Sequence, residues 1–100
     1  MSPGALRIIA IALAALELLM APFALFFAAM GVMMFDAPGS TENNMLWVAF
    51  WSAWAWPFAL VIGAVFEIMA AIRYTRQRML IGVIVPAVPL FVLILAFTAI

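Results

Sequence analysis

The sequence contains no cysteine, no histidine and no lysine, and only 8% of its 100 residues are charged. Without cysteine there are no disulfides and no thiolate chemistry, and without histidine the usual ligands for zinc, haem and iron–sulfur centres are missing. The four arginines, Arg7, Arg73, Arg76 and Arg78, form no basic stripe of the kind that nucleic acids require. Neither a nucleophile–base pair nor a glycine-rich phosphate loop is present, so the expectation is a protein that is not an enzyme, with no cofactor, no metal and no nucleic acid partner.

Apolar residues make up 72% of the chain, which leaves far too little polar surface for a water-soluble domain. The expected class is an all-α integral membrane protein forming one membrane domain over residues 1–100, with three transmembrane helices. Ser2 before Pro3 signals a helix start, and helix 1 is expected over about residues 4–35. Its apolar run, Ile8 to Phe35, is about 42 Å long if fully helical, against a hydrocarbon core of roughly 30 Å, and reads as a retained anchor rather than a signal peptide. An acidic loop over 36–44 follows, with Pro38-Gly39 as its turn signal. Helix 2 is expected over about 45–72, a basic loop over 73–78, and helix 3 over about 79–100. Trp47 and Trp51 suit the aromatic belt at a membrane surface.

All four arginines fall on one side of such an arrangement. The positive-inside rule therefore puts the N-terminus and the 73–78 loop in the cytoplasm and the C-terminus outside. The expected location is a cell membrane, the bacterial inner membrane.

One face of the first span reads Ala10, Ala14, Glu17, Ala21, Ala24, Ala28, Gly31, in alternating steps of four and three. Six of those residues are small, and such a stripe lets two helices come close in lipid. The second span offers Ala55, Ala59, Gly63, Glu67 and Ala71, spaced by four. These two ridges predict that helices 1 and 2 pack as an antiparallel hairpin along Ala14, Ala21, Ala24, Ala28 and Gly31 of one and Ala59 and Gly63 of the other.

Each ridge carries a glutamate. Counted from the arginines, Glu17 lies about 15 Å and Glu67 about 9 Å into the membrane, a difference of roughly one helical turn. An ionised carboxylate near the bilayer centre costs about 3 kcal/mol on insertion scales, so such a group faces the bundle interior, finds a partner or takes up a proton. At least one of the two is expected to be neutral at pH 7. Four prolines within the spans free carbonyls four residues earlier: Pro22 that of Leu18, Pro57 that of Ala53, Pro86 that of Gly82 and Pro89 that of Val85. Pro22 and Pro57 are both about 23 Å from the arginines, hence level, and each should kink its helix unless a neighbour compensates. The Gly82 and Val85 carbonyls fall near Glu67, and a neutral acid donating to a freed carbonyl is the cheapest satisfied state. The plainer alternatives are that both glutamates only hold helices together, or that Glu67 reaches toward the arginine loop.

Two weaker signals stand beside these. Met30, Met33, Met34 and Met45 are soft ligands that would suit Cu(I), although methionine is also ordinary membrane packing. Trp54 and Trp56 would suit an organic cation, or would simply fill space beside Pro57.

Two functions follow as expectations. The first is a small protein acting through intramembrane helix contacts with a larger membrane protein, as an accessory subunit, an immunity-type protein or a regulator. The second is an oligomeric proton- or cation-coupled transporter in which Glu17 and Glu67 form an intramembrane acidic site; three helices are too few to enclose a path, so this reading requires a homo-oligomer. Length and a glutamate in the first span resemble the small multidrug-resistance transporters, but those have four helices, and no role is carried over. A holin-like pore former is a third expectation, although three-span holins end in a basic cytoplasmic tail and this sequence ends apolar.

Overall fold

The computed structural model describes residues 2–36 and 39–99, without the side chains of Pro3 and Met34. Pro38 of the expected turn and Ile100, the expected end of helix 3, lie outside the described residues. The described chain is all-helical: α1 (Pro3–Met30), a 3-10 turn (Gly31–Phe35), a short 3-10 turn (Ser40–Glu42), α2 (Asn44–Ile72) and α3 (Arg76–Ala99). All three α-helices are long and apolar enough to cross a membrane.

Capping fixes the helix ends. Ser2 accepts a hydrogen bond from the Ala5 amide at 3.2 Å and Pro3 occupies the first turn, where its missing N–H costs nothing. At the start of α2, Asn43 Oδ1 accepts from the amides of Met45 (3.0 Å) and Leu46 (3.2 Å). Replacing Asn43 by Ala leaves both donors to water, and a loss of about 1 kcal/mol is expected in detergent unfolding experiments; an unchanged stability would mean that the cap is dispensable.

Two boundaries differ from the sequence reading. The α-helical part of the first span stops at Met30, and the remaining apolar residues tighten into a 3-10 turn from Gly31, a poor helix former. The third helix begins three residues before the apolar run does. Thr75 Oγ1 accepts from the Arg78 amide at 3.2 Å and the Thr75 carbonyl from Met79 N at 3.2 Å, so Arg76 to Arg78 form the first turn of α3 rather than a loop. Arg78 then turns back to α2, its Nη1 donating to the Arg73 carbonyl at 3.0 Å and toward that of Met69 at 3.5 Å. The Met69 carbonyl also accepts from the Arg73 amide at 2.9 Å, and Arg78 adds a donor to the carbonyls at the end of α2.

α1 and α3 each pack extensively on α2. Near the acidic connection all three helices share a cluster of Ala28, Ala49, Ala53, Leu93 and Ala96, with Trp54 packed against it. There Phe27 of α1 also meets Phe97 of α3 edge to face, with ring centroids 6.4 Å apart. The connection itself is held by Phe35 and Trp47 (4.5 Å between centroids) and by Trp47 Nε1 donating to the Thr41 carbonyl at 2.8 Å. Large side chains such as Phe23, Ile8 and Ile72 point outward. This suits lipid, where helices gain from close contact between small residues and nothing from hiding large apolar ones.

The α1 seam is its buried face: Ala10, Ala14, Glu17, Ala24, Ala28 and Gly31 are buried, and only Ala21 is half-buried. The α2 ridge behaves differently. Ala59, Gly63 and Glu67 are buried, whereas Ala55 is exposed and Ala71 half-buried. The spacing explains the contrast. Alternating steps of four and three stay close to one face of a helix, while steps of four advance about 40° each and swing about 160° over the ridge, so its ends leave the contact. All three helices run unbroken through their internal prolines.

Candidate functional site

The site is built at a point where α1, α2 and α3 meet in close contact. Glu17 occupies the middle of the α1 seam, Gly63 and Glu67 lie one turn apart on α2, and Gly82 lies one turn before Pro86 on α3. Both glutamates are enclosed by protein, Glu17 with 6% of its surface exposed and Glu67 with none.

The two glycines define the geometry. A methyl group at Gly63 would collide with Glu17 Oε2 and would stand 2.6 Å from the Gly82 carbonyl oxygen and 2.9 Å from Pro86 Cδ. Gly63 is therefore the contact point of all three helices, and the carboxyl of Glu17 and the carbonyl of Gly82 crowd the same spot. A methyl group at Gly82 would collide with Glu67 Oε1 and stand 2.6 Å from its Cδ and 2.8 Å from its Cγ. The Glu67 side chain thus lies along the backbone of Gly82. Residue 82 thus stands at both glycine contacts, its carbonyl at Gly63 beside Glu17 and its own Cα against Glu67.

The carbonyl of Gly82 is the one that Pro86 deprives of its helical donor. Around it, Glu17 Oε2 and both carboxyl oxygens of Glu67 have no hydrogen-bond partner. Buried polar atoms are ordinarily paired, so three unpaired oxygens beside a carbonyl short of a donor mark a place with unused bonding capacity. Filling it takes protons or a cation, since every group there is an acceptor once the carboxyls ionise.

The sequence reading placed Glu17 and Glu67 on one α1–α2 contact. The structure keeps the one-turn offset, with Glu17 level with Gly63, but Glu67 leans onto α3. α2 has a neighbour on each of two sides, and Glu67, 400° further along from Gly63, points toward the second. The Glu67 side chain does not reach toward the arginine loop: it is fully buried, and Arg78 is engaged with the backbone at the end of α2.

Of the remaining ridge residues, Ala14, Ala24, Ala28, Gly31 and Ala59 are buried around the site and along the seam. Ala21 is the exception because it borders a shallow apolar groove of about 380 Å³ lined by Leu18, Ala21, Pro22, Leu25, Pro57, Phe58 and Val61. Pro22 and Pro57 share that groove, so the two prolines are level. Met30, Met33 and Met45 are exposed, and the side chain of Met34 lies outside the described residues. Trp54 belongs to the alanine cluster and Trp56 is half-buried.

No protein-family model, curated protein or solved structure matches the chain. Its site has to be read from its own geometry.

What sequence reasoning missed is the role of Gly82 as the seat of Glu67. The signal was present: Gly82 is the only glycine of the third span and stands four residues before Pro86. Missed also was the second buried stripe of α2, which includes Leu46, Ala49, Ala53, Leu60 and Ala64 at steps of three, four and seven.

Proposed function

We propose that this chain is a small multi-pass membrane protein that works by exchanging a proton at Glu17 and Glu67, as one unit of a homo-oligomer coupling proton movement to transport. The observation that supports this most is the burial of both carboxyls at one three-helix crossing, with three of their oxygens unpartnered beside a carbonyl that Pro86 has released. Carboxyls serving only to hold helices together gain their effect from hydrogen bonds, and these oxygens make none. An acid that carries a proton in one state and gives it up in another needs such unused capacity. In this reading α1 and α2 form an antiparallel hairpin along their small residues, with the N-terminus in the cytoplasm of a bacterial cell and the C-terminus outside.

Reconstituted into vesicles with an imposed pH gradient, the full chain is expected to dissipate the gradient, and vesicles with Glu17→Gln protein are expected to hold it as well as empty ones. Equal flux from the two proteins would remove the proton-coupled reading. The orientation is tested separately. A Ser40→Cys variant should react with a membrane-impermeant maleimide added to intact cells, and reaction only after the cytoplasm is opened would invert the topology.

The second reading, a subunit or regulator acting through helix contacts, draws support from the groove beside Pro22 and Pro57 and from the many large apolar side chains exposed along all three helices. Against it, the small-residue seam that would recruit a partner is turned inward. Purification in mild detergent followed by mass spectrometry separates the two: a pure homo-oligomer supports transport, and a stoichiometric larger membrane protein supports the subunit.

A further inference from the structure

We propose that the crossing of Glu17, Glu67 and Gly82 is an oxygen-only binding site for one small monovalent cation of the sodium class, taken up in exchange for one proton. This rests on the reading that the two glutamates are the working pair, and it names what the proton is exchanged for.

The donor set selects the kind of ion. Glu17 Oε2 and the Gly82 carbonyl oxygen meet at Gly63, Glu67 Oε1 lies against Gly82, and Glu67 Oε2 is buried and unpartnered beside it, so the four oxygens come from three helices at one crossing. All four are hard oxygen donors, with no nitrogen or sulfur among them, which suits alkali and alkaline-earth cations and disfavours copper or zinc. The side chains are aimed inward and enclosed, so their oxygens cannot be satisfied by bulk water. A backbone carbonyl released from helical bonding is also the group by which interrupted membrane helices coordinate small cations.

Charge and space then choose within that class. With one carboxyl ionised and the other protonated, a single positive charge makes the site neutral, the least costly state inside a bilayer. A divalent ion would need both carboxyls ionised. Calcium takes six to eight oxygens and magnesium keeps several waters, more than this crossing supplies. Gly63 and Gly82 are packed so closely that even a methyl group would be within 3 Å of neighbouring atoms, so an ion must enter without most of its water. Exchange is balanced: the O–H bond of one carboxyl breaks, its proton leaves for the solvent, and the carboxylate left behind holds the entering cation.

The test uses the full chain in detergent micelles, weakly buffered near neutral pH, with a pH indicator in solution. Adding sodium chloride is expected to release protons saturably, toward one per chain, while choline chloride at the same ionic strength releases none and potassium chloride fewer at equal concentration. Glu17→Gln and Glu67→Gln proteins, checked for unchanged helicity by circular dichroism, are expected to release none. The proposal is overturned if wild-type protein releases no more with sodium than with choline, or if both variants release as much as wild type. Should a variant fail to fold, the comparison of sodium with choline on wild-type protein decides alone. An infrared band of a protonated carboxyl in wild-type protein separates the two readings. If it is present while sodium releases nothing, the proton reading stands without the cation; if it is absent as well, both fall.

Discussion

Gly63→Ala is expected to loosen the bundle more than any other single-methyl change in it. The added carbon would stand 2.6 Å from the Gly82 carbonyl oxygen and 2.9 Å from Pro86 Cδ, besides colliding with Glu17. The carbonyl and the proline ring belong to the backbone framework of α3 and cannot rotate away, so α2 and α3 must part. Overpacking of this kind costs about 1–3 kcal/mol, and Gly63→Leu should cost more. Gly31 is the matched control, since a methyl group there meets only Phe50 Cδ2, at 3.7 Å. Gly31→Ala is therefore expected to be neutral within about 0.5 kcal/mol. Reversible unfolding in mixed micelles measures both. Equal losses at the two glycines would mean that close approach at Gly63 is not what holds the helices together.

The second large effect is on activity without stability. Glu67→Gln preserves the shape of a fully buried side chain lying against the backbone of Gly82 and keeps a hydrogen-bond donor there, while removing the exchangeable proton. Folding and oligomeric state are expected to match wild type, and proton flux into vesicles is expected to fall to that of empty vesicles. Glu67→Lys is the informative opposite. It sets a long cation against the backbone of Gly82, costs about 3 kcal/mol on insertion scales and should lower the yield of folded protein. A Glu67→Gln protein with normal flux would reduce Glu67 to a space-filling residue.

Much of this architecture was legible in the sequence because lipid makes the rules simple. Apolar runs long enough to span a bilayer give the three helices, and small residues at alternating steps of four and three give the buried face of α1. Pro86 gives the position of a carbonyl without a donor. The parts that were not legible share one cause: they depend on which helix lies beside which. Nothing in the spacing of Ala55, Ala59, Gly63, Glu67 and Ala71 says that α2 has neighbours on two sides, so the turn of Glu67 toward α3 and the exposure of Ala55 had to come from the structure. Helix ends were misjudged where charge was taken for a break. Arg76 and Arg78 lie in the first turn of α3, started by Thr75, because arginine is a good helix former and its charge alone does not end a helix.

The central claim is that Glu17 and Glu67 hold an exchangeable proton inside the bundle, and infrared difference spectroscopy of the reconstituted protein, recorded in H2O and D2O across pH, tests it most directly. The account predicts a carboxylic acid C=O band at neutral pH that shifts on deuteration, changes amplitude as pH is raised and is lost in Glu17→Gln or Glu67→Gln protein. Carboxylate bands from both residues at neutral pH, unchanged down to about pH 5, would show two ionised groups in contact with water and would contradict it.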